Sequence, residues 1–371
     1  MKPVHSQRLE RWLGTERIEQ LSRNFRGWYG PPVALLDVPG GVVVNGDGDF
    51  SGKFERGFYV NAADALHQAV KRAMRMRPRY GVLNAGFASI SDALSEASAG
   101  KRQMAHGGMV SKVGLAPGST GSCTDFWYPA TNNPTAGATA STAAGAGQDA
   151  TTAGAMIFTN PTGGDTTHLT GADFSCNTAN HAIMLIDRLG ASLRTASSSG
   201  NDTVTFTQSR YNSTTPGAAD YAGGNFVYPV ARGGALGAFA HNWTGQYTDQ
   251  GGNTAQAFAT TAGINACQQN RLDLPVNTWF WPLASGDTGV KALTQTACSV
   301  ATVTGSCEFV LAHPIGIMTF PTANLFYPFD WLTNRDQAPR VMDSACLSML
   351  GLPQPASAAI TVGGLIYLTQ G

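Results

Sequence analysis

The stretch from Val290 to Ile317, VKALTQTACSVATVTGSCEFVLAHPIGI, carries the strongest strand signal in the chain. Its first arm, residues 290–303, is rich in β-branched side chains, and its second arm, residues 306–315, is mainly apolar. Thr304-Gly305 lies between the arms, and a short glycine-containing turn between two such runs predicts a β-hairpin. The step His313-Pro314 predicts a sheet edge or a bend, because proline has no N–H to donate to a neighbouring strand.

Short runs of the same kind continue on both sides of this stretch, separated by Gly, Ala, Thr and Ser. Many short strands without long helices between them predict a sandwich or barrel and disfavour a parallel α/β sheet. We therefore expect residues 106–371 to form a mainly β body, either a β-sandwich or a jelly-roll-like fold. The other predicted strands are residues 109–113, 126–128, 156–158, 183–187, 204–207, 226–230, 278–283 and 360–368.

The front of the chain has a different texture, and we divide it into an extended arm, residues 1–60, and a short helical region, residues 61–105. An amphipathic pattern covers residues 7–24 of the arm. Asn61 caps a predicted helix that Pro78 ends, and a second short helix is predicted over Ser91–Ala99. The arginines of the arm suit a solvated helix face, and a contact of this basic arm with nucleic acid is the weaker alternative.

Charge separates the two parts of the chain. Residues 1–112 carry 16 Lys and Arg against 10 Asp and Glu, whereas residues 113–371 carry 8 against 14, so that net charges of +6 and −6 cancel. A neutral total argues against a dedicated nucleic-acid binder. A body with only 22 charges in 259 residues is expected to cover itself with neighbouring subunits or to present an uncharged polar surface.

Residues Ala130–Gly154 form a low-complexity loop with almost no large side chains. Such a loop buries little apolar surface of its own. We expect it to be mobile or to lie flat against another chain.

Motifs for chemistry are absent from the sequence. The six cysteines are widely spaced, which favours buried free thiols over a zinc site, and no phosphate-binding loop or nucleophile elbow occurs. His181 and Asp187 would lie roughly 20 Å apart along a strand and cannot pair without a bend. We expect no cofactor, no metal ion and no enzymatic activity.

Aromatic residues occur in three tight groups, from which we take Trp127, Tyr128, Trp279, Trp281, Phe329 and Trp331 as candidate interface residues. Adjacent aromatic residues in an extended segment point to opposite faces, so part of each group needs a second surface. Packing within the chain or against a neighbour is favoured over a sugar-binding platform. A platform would draw on acidic partners, and only Asp125 and Asp330 are close in sequence.

Several stretches resemble structural proteins from the virions of tailed bacteriophages. The likeness covers roughly residues 80–371, and it rests on residues 158–166 (FTNPTGGDT), 185–191 (LIDRLGA), 247–252 (YTDQGG), 286–289 (GDTG) and 364–368 (GLIYL). The resemblance implies a particle component and supplies no catalytic motif. The first 60 residues or so depart from the pattern.

These observations lead to the hypothesis of a capsid decoration or cement protein, a trimer or other homo-oligomer that contacts the major capsid protein of a phage head. Such a protein would be assembled in the host cytoplasm and located in the virion. No secretory signal and no apolar run of about 18 residues is visible in the sequence, and we expect no membrane partner. The alternatives are the shell protein itself, a receptor-binding or carbohydrate-binding tail component and, third, a hydrolase whose carboxylates only the fold would bring together.

Overall fold

The computed structural model describes residues 90–114, 119–129, 133–195, 199–301, 304–332, 338–354 and 358–371, together with Phe87 and two strands near the N-terminus. The chain divides into two compact units, Met1–Met74 and Arg75–Gly371. In the first unit, β1 (Val33–Leu36) and β2 (Val42–Val44) form an antiparallel pair. The predicted amphipathic segment over 7–24 and the predicted helix over 61–77 lie outside the described residues.

In the second unit the first described element is a short helix, α1 (Ile90–Glu96), which a π-helical turn extends over Ala97–Lys101. Gly100 has a φ of 88°, a left-handed conformation that suits glycine and ends the helical segment. The helix predicted over Ser91–Ala99 is thus confirmed.

Strands make up the regular structure of the remaining described residues of this unit, and the predicted mainly β body is confirmed. In chain order these are β3 (Arg102–Met104), β4 (Val110–Gly114), β5 (Thr124–Asp125), β6 (Ala146–Gly147), β7 (Thr167–Cys176), β8 (His181–Thr195), β9 (Gly200–Thr203), β10 (Phe226–Arg232), β11 (Asn242–Asp249), β12 (Gln256–Ala257), β13 (Thr261–Ala262), β14 (Val290–Cys298), β15 (Ser306–Phe320), β16 (Phe326–Asp330), β17 (Arg340–Val341), β18 (Leu347–Gly351) and β19 (Ile360–Gln370).

These strands form three antiparallel sheets. Sheet I has the order β10-β15-β8-β18-β5, with β6 paired to β8. Sheet II has the order β12-β11-β14-β9, with β13 paired to β11. Sheet III has the order β16-β7-β19-β3, with β17 paired to β7 and β4 paired to β19.

Sheet I supplies the centre of the core. Its strands β8 and β15 each have 15 residues and are almost entirely buried, so they read as nearly continuous apolar runs rather than as alternating ones. Sheets II and III both pack on β15. The ring of Trp243 in sheet II lies 5.1 Å from that of Phe309, and the ring of Phe329 in sheet III lies 5.5 Å from that of Phe320. The body is therefore sandwich-like.

The predicted hairpin between residues 290 and 315 is wrong. β14 pairs with β11 and β9 in sheet II, whereas β15 pairs with β8 and β10 in sheet I, so the turn at Gly305 carries the chain from one sheet to another. The sheet edge or bend predicted at His313-Pro314 is confirmed. β10 ends opposite Ala312, which leaves Pro314 paired with β8 alone, and the register shifts between Pro314 and Gly316.

Two of the predicted aromatic strands, 126–128 and 278–283, are irregular segments instead. After β5 the backbone N–H of Trp127 donates to Asp125 Oδ1 at 2.9 Å, a local bond that turns the chain out of the sheet. Residues 204–207 follow the end of β9 rather than forming a strand, and residues 156–158 contribute a single bridge, from Met156 to Leu347.

Candidate functional site

The largest cluster of chemically active side chains is a buried ionic network in sheet I. Arg188 donates to Asp125 Oδ2 at 2.8 Å and to Glu308 Oε2 at 3.1 Å. Arg232 donates from Nε to the same oxygen of Glu308 at 2.9 Å and from Nη2 to the same oxygen of Asp125. Two positive and two negative groups thus share two oxygen atoms, and all four side chains are buried.

The remaining hydrogen-bonding groups of this network also find partners. Arg188 is further bonded to Gln148 and Tyr228 and lies over the ring of Trp127 at 4.5 Å. A cluster that is neutral and saturated in this way avoids the cost of unpaired buried charge. The other contacts are Arg232 Nη1 to Asn270 Oδ1, Trp127 N to Asp125 Oδ1, and Ala140 N to Glu308 Oε1.

The electrostatics keep the network ionised. Burial alone would raise the pKa of Asp125, but the positive charges of Arg232 and Arg188 more than offset it, and the pKa lies below its usual value. For Arg188, burial works to lower the pKa, and the negative partners raise it above the usual range. The fold does bring two carboxylates together, as a hydrolase would require. Both are closed to solvent and occupied by arginines.

A second buried pair lies beside the network. Arg210 donates from Nε and Nη2 to the two carboxylate oxygens of Asp187, each at 2.8 Å. It also donates from Nη2 to the carbonyl oxygen of Gln148. Asp187 Oδ1 accepts the backbone N–H of Cys346 at 2.8 Å. A bidentate arginine–carboxylate pair with these added bonds fixes β8 against the segments that flank it.

The low-complexity loop is fastened to its own chain. Of the predicted loop Ala130–Gly154 the structure describes residues 133–154, which we call the strap. Its backbone is held by the Trp127 indole, which donates to Ala138 O at 2.8 Å, by Glu308, and by Ser192, which donates to Ala143 O at 2.6 Å. The expectation that the loop is mobile or lies on another chain is therefore wrong. Its small residues instead let it lie flat over buried polar groups.

Lys112 holds the beginning of the strap. Its ammonium group is almost fully buried and donates to the carbonyl oxygen of Thr135 at 3.1 Å. Burial lowers the pKa of Lys112 to about 8. Hydrogen bonds therefore hold the strap near both of its ends, from Lys112 to Thr135 and from Arg188 of the ionic network to Gln148.

Two buried histidines have opposite environments. His241 Nε2 lies 2.7 Å from Asp273 Oδ2, which also accepts the indole N–H of Trp243 at 2.8 Å. His181 is equally buried, but neither of its ring nitrogens has a hydrogen-bond partner, and burial lowers its pKa to about 4. Asp187 is bonded to Arg210, so the expectation that His181 and Asp187 do not pair is confirmed.

Charge is sparse on the surface of the described body. From Ile90 onward the structure describes 25 charged side chains, of which 11 are buried, 12 are half-buried and two, Arg102 and Asp343, are largely exposed. The body therefore buries a large share of its few charges, and its surface is mostly Ser, Thr, Asn, Gln, Gly and Ala.

The six candidate interface residues fall into two groups. Trp127, Trp281 and Trp331 are buried within their own chain. Tyr128, Trp279 and Phe329 are half-buried and retain accessible area. Asp125, one of the two acidic residues near the aromatic groups, belongs to the closed network and is not available to a sugar.

The other expected ligand groups are dispersed. All six cysteines are buried and free, as expected. Within the described ranges no group of three His, Cys, Asp or Glu side chains is placed to hold a metal ion. In the same part of the chain no helix combines the length and the hydropathy needed to span a bilayer.

Comparisons with family models, with curated proteins and with solved structures each found no match to this chain.

Proposed function

We propose that this chain is a structural component of a bacteriophage virion, a homo-oligomeric protein that decorates or cements the head. The observation that carries the proposal is the inward placement of charge in the described body. A surface with few fully exposed charges can be covered by neighbours at a lower desolvation cost than a highly charged surface. It also lacks the repulsion between like charges that keeps monomers apart.

The architecture supports the same role. The saturated network of Asp125, Arg188, Arg232 and Glu308 and the strap over it favour one fixed packing of sheet I, which suits a component that holds a defined shape in a particle. The likeness to virion proteins over residues 80–371 points in the same direction. The carboxylates of the network are neutralised by arginines and closed to solvent, which favours a structural role for them over an acid–base role.

The test is the position and copy number of the chain in purified particles, measured by quantitative mass spectrometry and by imaging of intact virions. A copy number comparable to that of the shell protein, with density on the outside of the head, is expected. A few copies at the tail tip would replace the cement role with adhesion, and absence from particles would overturn the structural proposal.

A further inference from the structure

Exposed apolar side chains gather on one face of sheet III. Among the large hydrophobic residues that the structure places at the surface, Met104 and Phe326 lie on strands of this sheet, and Met109 lies directly before β4. Phe326 is 59% exposed and Met109 is 54% exposed. Contiguous exposed apolar groups on a soluble protein mark a contact surface or a binding groove.

The strand register shows how this face is shaped. Phe326 of β16 lies opposite Ser175 of β7, Ser175 lies opposite Gly363 of β19, and Gly363 lies opposite Ser111 of β4. Three small residues in one row form the floor of a trough across the sheet, and Phe326 and Met109 rise beside it. The trough has a volume of about 220 Å³, and no charged residue lines it.

Main-chain pairing at the β16 edge of this sheet is disfavoured. Trp331 N–H donates to Thr170 O of β7, and N–H directions alternate along a strand, so the nitrogen of Pro328 faces the outer edge of β16. Proline has no hydrogen to donate there, and it protects a sheet edge from adding another strand. At this side of sheet III, contact through side chains on the outer face is therefore favoured over strand addition.

The charges on this face have opposite signs at its two sides. Asp330 lies on β16, and Arg102 lies on β3 at the other side of the sheet, with its guanidinium 3.9 Å above the ring of Tyr367. Between them lies Asp173 of β7, whose carboxylate accepts the hydroxyl of Tyr367 at 2.7 Å. A copy turned about an axis parallel to the strands would place its β16 over the β3 side of the first copy. The same rotation brings Phe326 of each copy over the Ser111 end of the trough in the other.

The size of the face fits a second copy of this chain. β19 has 11 residues and spans about 37 Å, and four strands span about 19 Å, which gives at most about 700 Å². A standard protein interface buries about 800 Å² on each partner. The face is thus large enough for a specific dimer that separates on dilution, and further contacts in an assembly would strengthen it.

We propose that a second copy of this chain packs on the outer face of sheet III, related by a two-fold axis parallel to the strands, with Phe326 of each copy seated in the trough of the other. Such a contact is isologous, because the same patch is used by both partners. The inference rests on the proposed assembly role for its purpose. It concerns association in solution, however, and can fail or hold independently of whether the chain is found in particles.

The experiment compares Phe326→Lys with Leu94→Lys in the full chain by sedimentation velocity over a hundredfold range of concentration. Leu94 is the matched control, because it is 57% exposed and lies on α1 rather than on sheet III. The natural chain and Leu94→Lys are expected to dimerise equally. Phe326→Lys is expected to associate at least tenfold more weakly, because an unpaired ammonium group must lose its water in the trough.

Circular dichroism of both variants shows whether each retains the fold. A photo-crosslinking amino acid at position 326 gives a second readout, in which the linked peptide is expected to contain Ser111 of the other copy. A natural chain that stays monomeric, equal association of Phe326→Lys and Leu94→Lys, or crosslinks that map outside sheet III or to an unrelated chain would each overturn the proposal.

Discussion

The interior of sheet I and the outer face of sheet III reverse the usual places of charge and apolar surface. Inside sheet I four ionised side chains have no contact with water. On the outside of sheet III, Phe326 and Met109 are more than half exposed. Most proteins keep charge outside and large apolar groups inside. Here each buried charge has an oppositely charged partner inside sheet I, whereas the exposed apolar side chains of sheet III contact solvent until another surface covers them.

The two regions provide different kinds of specificity, sheet I for the folding of one chain and sheet III for contact between chains. A saturated ionic network allows few alternative arrangements, because any other packing leaves a buried charge without its partner. An apolar face with a trough accepts a partner whose shape fits it and gains little from any other. The first fixes the fold of a single chain, and the second provides for contact between chains.

The largest expected effect comes from breaking the network. Arg188→Met leaves Asp125 and Glu308 with one arginine between them and an uncompensated negative charge in the core. We expect a loss of about 3–5 kcal/mol in the free energy of unfolding, measured by urea denaturation. Asp343→Asn removes an exposed charge as the control and should change this free energy by about 0.5 kcal/mol or less.

A double variant that restores the charge balance of the ionic network tests the role of that network more directly. Adding Glu308→Gln to Arg188→Met leaves the pair of Asp125 and Arg232 in balance, so the double variant should recover part of the lost stability. A double variant that loses the sum of the two single effects would show that the four groups act independently rather than as one network.

A second prediction concerns the imidazole of His181, which is buried without a hydrogen-bond partner. The pKa of His181 in the folded chain is about 4, below the ordinary value of 6.5. The unfolded chain therefore binds a proton more readily as the pH falls below 6.5, and this favours unfolding until the pH approaches 4. His181→Leu removes the effect and should be close to neutral at pH 7, because no hydrogen bond is lost.

We expect this variant to exceed the natural chain in stability by about 2–3 kcal/mol at pH 4.5, and by much less at pH 7. Denaturation curves at the two pH values measure the difference. The same advantage at both pH values would show that desolvation does not govern the titration of His181.

Much of this fold follows from local sequence, and the rest depends on partners far along the chain. β15 and β19 are long apolar runs, and their strands were predicted. β7 and β11 were not, because glycines at 171 and 245 and many polar residues hide their alternation. The pairing of β14 with β11 instead of β15 could not be predicted, because the turn at Gly305 fixes where the chain leaves one strand and not which sheet it enters.

The network was visible in the sequence only as an anomaly. Asp187-Arg188 lies inside the apolar run IMLIDRLGA, and Glu308 lies between Cys307 and Phe309. A charge in the middle of a buried strand requires a partner, and this signal could have identified these residues as buried pairs. The identity of each partner could not be read from it, because Asp125 and Arg232 join the network from strands far away in sequence.

The smallest of these effects tests the strap that covers the network. A Cβ atom at Gly137 would overlap the indole ring of Trp127, which itself holds the strap and carries the guanidinium of Arg188 on its face. Gly137→Ala should therefore cost about 1–3 kcal/mol in the free energy of unfolding through overpacking. Gly108→Ala is the control, because a Cβ there meets open space.

The same variant has a second measurable effect. Hydrogen exchange of Ala140 N–H, whose acceptor is Glu308, should become faster in Gly137→Ala. Unchanged exchange at Ala140 would mean that water is excluded from the network without the strap, and charge inside sheet I would then be protected by the strands alone.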